Sequence, residues 1–199
     1  MKMRSVLATV SLVSLLAMAV LLGGCGSIGR SPDPNFYLLS SPEVNQVRGE
    51  VTGPRVSVGP VILPGYLDRM EILVRSENGV NTRPEKFELW SEQLDDGIER
   101  VLCAAISRRL QPRNGHAFPM RAPLHPQWRI SMEVSRMDGA PGETVVLECA
   151  WALTDKAGNL IESGRFAGSR SAGDSIAGKV EAYSELLVQL GDELGAVIP

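Results

Sequence analysis

Between residues 128 and 166 the chain is written in a period of two, and this constrains its fold more than any other feature. Trp128, Ile130, Met132 and Val134 alternate with Arg129, Ser131, Glu133 and Ser135, the pattern of a strand with one face on a core and the other in water. Asp138 to Gly142 supplies turn residues, and Val145, Leu147, Cys149, Trp151 and Leu153 then repeat the alternation. Asp155 to Asn159 turns the chain again and Leu160 to Phe166 returns. Three consecutive strands joined by short turns predict an antiparallel meander. A meander with one apolar face needs a second layer over it.

Two segments with a helical period can supply that layer. Glu88 to Leu110 reads as a helix whose face is Trp90, Leu94, Ile98, Val101, Leu102 and Ala105. Glu92, Asp95, Asp96 and Glu99 lie toward its start and Arg108 and Arg109 close it, an order that complements the helix dipole. Pro112 and Asn114-Gly115 stop it. A last helix is capped by Asp174 or Ser175 and faces the core with Val180, Tyr183, Leu187, Leu190 and Leu194.

Upstream, Phe36–Leu39, Arg55–Ile62 and Met70–Arg75 read as strands. The second contains a turn at Gly59-Pro60, and the third ends at the hairpin signal Asn78-Gly79. Residues 111 to 127 carry four prolines and read as an exposed loop. The order β-β-β-α-β-β-β-α predicts an α+β fold, a mainly antiparallel sheet covered on one face by two amphipathic helices.

The first residues are of another kind. Lys2 and Arg4 precede an uncharged run of 17 residues, Val6 to Leu22, rich in Leu, Val and Ala. This is the build of a secretory signal; about 20 apolar residues are usual for a span, so an uncleaved anchor helix is the competing reading. Leu22-Gly23-Gly24-Cys25 resembles the lipobox of bacterial lipoproteins, which implies cleavage before Cys25 and lipidation of its thiol and new amine. Two or more acyl chains hold stably where one binds only marginally. Gly26-Ser27 follows, with no Asp directly after the cysteine. By resemblance to Gram-negative sorting, this implies the periplasmic face of the outer membrane. The expected organisation is a signal peptide over 1–24, a lipidated cysteine and tether over 25–35, and one periplasmic domain over 36–199. Ten extended tether residues reach at most about 33–36 Å.

Removing residues 1–24 from the 199 leaves 175, enough for one domain. The signal holds two basic residues and no acid, so its loss moves the net charge from −3 to −5. With no basic block in the sequence, nucleic acid and anionic membrane surfaces are not expected partners. Cys103 and Cys149 leave two outcomes open. A bridge would close a loop of about 47 residues, worth roughly 4 kcal/mol in the chain-entropy model. The alternative is two separate buried thiols packing as small hydrophobes. Cys149 lies on the apolar face of its strand, while Cys103 points away from the main stripe of its helix.

No catalytic constellation is legible. His116 and His125 lack a ligand at metal-binding spacing, and no cofactor is expected. Gly173-Asp174-Ser175-Ile176 resembles the nucleophile block of one esterase family, but it precedes the last helix with no histidine after it and reads as an N-cap. Gly191 and Gly195 have GxxxG spacing, and Asp192 and Glu193 between them rule out a membrane-spanning context.

With these residues in view, the chain resembles the ABC-type transport auxiliary lipoproteins, the PqiC (YmbA) family. The most distinctive stretch is Val56-Ser57-Val58-Gly59-Pro60-Val61-Ile62-Leu63-Pro64-Gly65-Tyr66-Leu67-Asp68-Arg69. Leu89-Trp90-Ser91-Glu92-Gln93-Leu94 matches the family's Trp-x-Glu-x-Leu opening of the first helix, and Phe36-Tyr37-Leu38-Leu39 its aromatic strand. Asp95-Asp96 departs from the common Pro-Leu-type start. The resemblance implies a non-enzymatic adaptor of an MCE-type (PqiAB-like) lipid transport system. Its partners would be an MCE-domain protein and, through the Cys25 acyl chains, the outer-membrane lipid, with a homo-oligomer around a symmetric tube. The competing reading is a periplasmic lipid-binding carrier. Two roles stand for the turn Tyr66, Leu67, Asp68 and Arg69: an exposed partner loop, or Tyr66 and Leu67 packed under the first helix with Asp68 and Arg69 fixing the turn.

Overall fold

The computed structural model describes residues 31–44, 51–75 and 79–199. The signal segment, Cys25 and Asn78 of the hairpin signal lie outside the described residues. In chain order come β1 (Asn35–Tyr37), β2 (Arg55–Ile62), β3 (Glu71–Arg75), β4 (Thr82–Trp90), α1 (Leu94–Leu110), β5 (His116–Pro119), β6 (Trp128–Asp138), β7 (Thr144–Asp155), β8 (Leu160–Ser171) and α2 (Ile176–Ala196). The fold is α+β, and Pro34–Pro199 forms one compact unit holding the hydrophobic core.

The meander β6-β7-β8 is the antiparallel part of a five-stranded sheet of order β5-β2-β6-β7-β8. β2 runs parallel to both β6 and β5. A smaller sheet has the order β1-β4-β3, with β1 parallel and β3 antiparallel to β4. Ile130, Met132, Val134, Val145, Leu147, Cys149 and Leu153 are buried, so the predicted apolar face is the core face. The alternation stops being readable at Ser135 because a bulge between Val134 and Arg136 shifts the phase and turns Met137 and Asp138 inward.

Two expectations need correction. Glu88 to Trp90 is not the start of the first helix but the end of β4, where Trp90 pairs with Tyr37 and is buried. Thr82–Trp90 carries Pro84 and four charged side chains with no clean period, so the strand is made by its neighbours and not by its own pattern. Residues 111 to 127 are not wholly an exposed loop. A 3₁₀ turn at Gln111–Arg113 leads into β5, which pairs with β2 and buries Ala117 and Phe118. Four residues are too few to show a period.

α1 buries the predicted stripe, but also Glu99, Cys103, Ile106, Ser107 and Leu110. It packs against β2 and β5 and also along α2, so Cys103 lies in the core and not outside it. α2 opens as predicted at Ser175, whose Oγ accepts the Gly178 N–H at 3.1 Å. Its face Val180, Tyr183, Leu187, Leu190 and Leu194 is buried.

Candidate functional site

Pro64 to Met70 connects the two sheets. The Leu67 N–H donates to the Pro64 carbonyl at 2.8 Å and the Arg69 N–H to that of Leu67 at 2.8 Å, which tightens the turn. Leu67 is buried and shares the wall of a cavity of about 10 Å³ with Trp90, Leu94, Met137 and Tyr183. The half-buried Tyr66 accepts the Met137 N–H on its hydroxyl at 3.4 Å, while Asp68 and Arg69 are exposed. The turn is thus divided: its apolar members wedge under α1, and its charged members face solvent. Leu67→Ala is expected to cost about 3 kcal/mol through the cavity it leaves. Asp68→Ala and Arg69→Ala should stay within about 0.5 kcal/mol. Urea titrations of the three variants check this.

Beneath the turn lies a polar cluster that the sequence reading did not single out. Lys179 on α2 is 1% exposed. Its Nζ donates to the carbonyls of Gly139, at 2.9 Å, and of Leu73, and stands 5.6 Å from the centre of the Tyr183 ring. Burial pushes its pKa down to about 8, with Asp138 and Glu85 partly offsetting. Asp138, also buried, accepts from Arg75 Nη1 at 2.8 Å and Arg136 Nε at 2.9 Å. The cluster ties β3 of the small sheet to the β6–β7 turn. One signal was available: Lys179 lies four residues before Tyr183, beside the apolar stripe.

The other sequence candidates are spread through the structure. Cys103 on α1 and Cys149 on β7 are free, buried thiols. Burial pushes them up to about 12 and about 11, so both are protonated at neutral pH and poor nucleophiles. His116 is half-buried on β5, lowered by burial, with Nδ1 3.3 Å from Ser107 Oγ. His125 is exposed. Glu99 is buried against β2 and accepts the Met120 N–H at 2.6 Å; desolvation raises its pKa. Among the described residues, no group of three or more His, Cys, Asp or Glu is placed to hold a metal ion, and no helix is long and apolar enough to cross a membrane.

Several clefts open at the surface among the described residues. One of about 770 Å³ follows α1 and α2 and is lined with ion pairs, Arg108 with Asp192 at 2.7 Å and Arg170 with Glu185 at 3.1 Å. Another, of about 340 Å³, lies where β6 begins and β7 ends.

Comparison with known proteins places this geometry. No curated protein sequence matches significantly. A crystal structure of a protein described only as uncharacterized is similar with a TM-score of 0.70 at 19% identity, over 84% of this chain and 100% of that one. A protein from Xanthomonas campestris is similar with a TM-score of 0.58 at 15% identity, over 81% of this chain and 92% of that one. At these identities the likeness concerns the fold. The family model of the ABC-type transport auxiliary lipoprotein component matches residues 37–195, spanning every element from the end of β1 to the last turn of α2. By that match the chain belongs to the ABC-type transport auxiliary lipoprotein component family.

Proposed function

We propose that this protein is a non-enzymatic adaptor of an MCE-type intermembrane lipid transport system. Acyl chains on Cys25 hold it at the periplasmic face of the outer membrane, and the domain docks the periplasmic tube there. The observation that carries the choice of adaptor over carrier is the filling of the core. A domain shielding an acyl chain needs an apolar cavity of some hundreds of Å³. The space between the small sheet and α2 is about 10 Å³, and the 770 Å³ cleft is open and lined with ion pairs. Family membership supports the transport role. A tether restricts the domain to a thin layer above the bilayer, so a modest affinity for a partner suffices, and several copies around a symmetric tube would add avidity.

The test is affinity capture of the tagged lipoprotein from gently solubilised envelopes, wild type beside Cys25→Ala. Wild type is expected in the outer-membrane fraction, bringing down an MCE-domain protein. Cys25→Ala is expected outside the outer-membrane fraction and without it. Capture of no transport component, with phospholipid co-purifying on the domain, would replace the adaptor by the carrier.

A further inference from the structure

At the strand ends of the large sheet, the 340 Å³ cleft is lined by His125, Trp128, Arg129, Thr154, Asp155 and Lys156. Arg129 and Lys156 are exposed and have no partner among the described residues. Asp155, the carboxylate in the cleft, is occupied by its own turn. It accepts from the N–H groups of Ala157 and Asn159 at 2.8 and 2.9 Å and from Asn159 Nδ2 at 2.8 Å. A third cation stands close by: Arg55 Nε donates to the His125 carbonyl at 3.1 Å and pins the loop. Exposed aliphatics adjoin the cleft, with Leu124 50%, Leu160 62% and Ile161 45% exposed. The register sets Arg129 beside Thr154 and Thr154 beside Leu160, one row on the outer face of the sheet.

Unpaired cations at the rim of a half-buried indole that rests in part on the core, with exposed leucine and isoleucine on adjoining segments, match a bilayer interface. Cations meet lipid phosphates, the amphipathic ring sits at headgroup level, and the aliphatics reach the acyl boundary. We propose that this end of the domain is a membrane-contact site that takes the phosphates of an anionic phospholipid surface between Arg129 and Lys156. It deepens the anchored-adaptor reading, resting on it only for the tether that keeps the domain within reach of a bilayer. Contact here would set which end of the domain faces the lipid and which faces the partner.

The test uses the chain from Gly26 onward, without the acylated cysteine. This part keeps the whole of the Pro34–Pro199 unit and its core. It is mixed with phosphatidylcholine vesicles, with and without phosphatidylglycerol, carrying brominated acyl chains. The domain should sediment with the phosphatidylglycerol vesicles and release at high salt. Its tryptophan emission should be quenched there, and Trp128→Phe should remove the quenching. Arg129→Gln with Lys156→Gln should weaken binding about thirtyfold, the effect of two cations beside an anionic leaflet. Arg165→Gln, the loss of one charge elsewhere on the sheet, should leave it unchanged, where Arg129→Gln alone should weaken binding about fivefold.

Equal binding to both vesicle types, or an equal loss with Arg165→Gln, would overturn the proposal. So would inorganic phosphate altering Trp128 emission while vesicles fail to bind, an outcome that would assign the cleft to a small phosphorylated solute. Failure of the adaptor reading shows separately, as envelopes yielding no transport partner whatever the vesicles do.

Discussion

Gly191→Val lowers the unfolding free energy by about 3 kcal/mol or more, the upper end of what overpacking costs. A Cβ built at Gly191 would stand 2.4 Å from the Cβ of Ala105, where α2 crosses α1. Both atoms sit directly on helix backbones, so relief requires the helices to move apart and open the core between them. Gly191→Ala is the sharper version. In a free helix it stabilises by about 1 kcal/mol, so a net loss of stability isolates the packing term. Ala105→Gly gives that Cβ its space back. The double variant should therefore be more stable than the sum of the single effects by about 1 kcal/mol or more. Additive effects in chemical denaturation would show that the crossing is looser than described. The GxxxG spacing thus serves close helix packing inside a water-exposed domain, where it can be read only once the partner helix is known.

Raising the pH from 8 to 10.5 stabilises the wild type by about 3 kcal/mol relative to Lys179→Met. The sign follows from the direction of the shift. Burial pushes Lys179 down from the ordinary 10.5 to about 8, so between these values the unfolded chain holds a proton that the folded protein does not. Stability rises with pH wherever the unfolded state binds more protons. Below pH 8 the folded protein carries a desolvated ammonium, held by the carbonyls of Gly139 and Leu73. Methionine keeps much of the bulk and removes the charge, but leaves the Leu73 carbonyl without the donor that Lys179 supplied. The two proteins should accordingly be close in stability near neutral pH and diverge as it rises. Urea titrations at both ends of the window check this, and a difference that stays flat would mean that water reaches Lys179.

How much of this was legible beforehand depends on the range over which each signal acts. The meander could be read because alternation is local and because its turns carry Asp, Asn and Gly. The last helix could be read from its face and from the Ser175 cap. β4 and β5 could not, since β4 carries no clean period and is shaped by β1 and β3, and β5 is only four residues beside its parallel neighbour β2. Trp90, which fits a helical stripe with Leu94, is drawn into β4 by its pairing with Tyr37. Of the turn Tyr66 to Arg69, the residues were found from the family resemblance, but which of them point inward was decided by the packing of Leu67 against the start of α1.

By itself, then, the sequence determined the α+β class, the two helices, the face each turns inward and the family, because these follow from spacings of two and about 3.6 and from short contiguous motifs. Tertiary structure alone decided that Cys103 is core, that Lys179 is buried with its charge held by backbone carbonyls, and that Gly191 is where two helices meet. It also decided the grouping of Arg129, Lys156 and Trp128. No basic block exists along the chain, yet sheet register sets the start of β6 beside the end of β7 and so concentrates cations that lie 27 residues apart in sequence. The physical reason is common to all four. Burial and charge density depend on what stands across from a residue, and that is set by pairing and packing between distant segments.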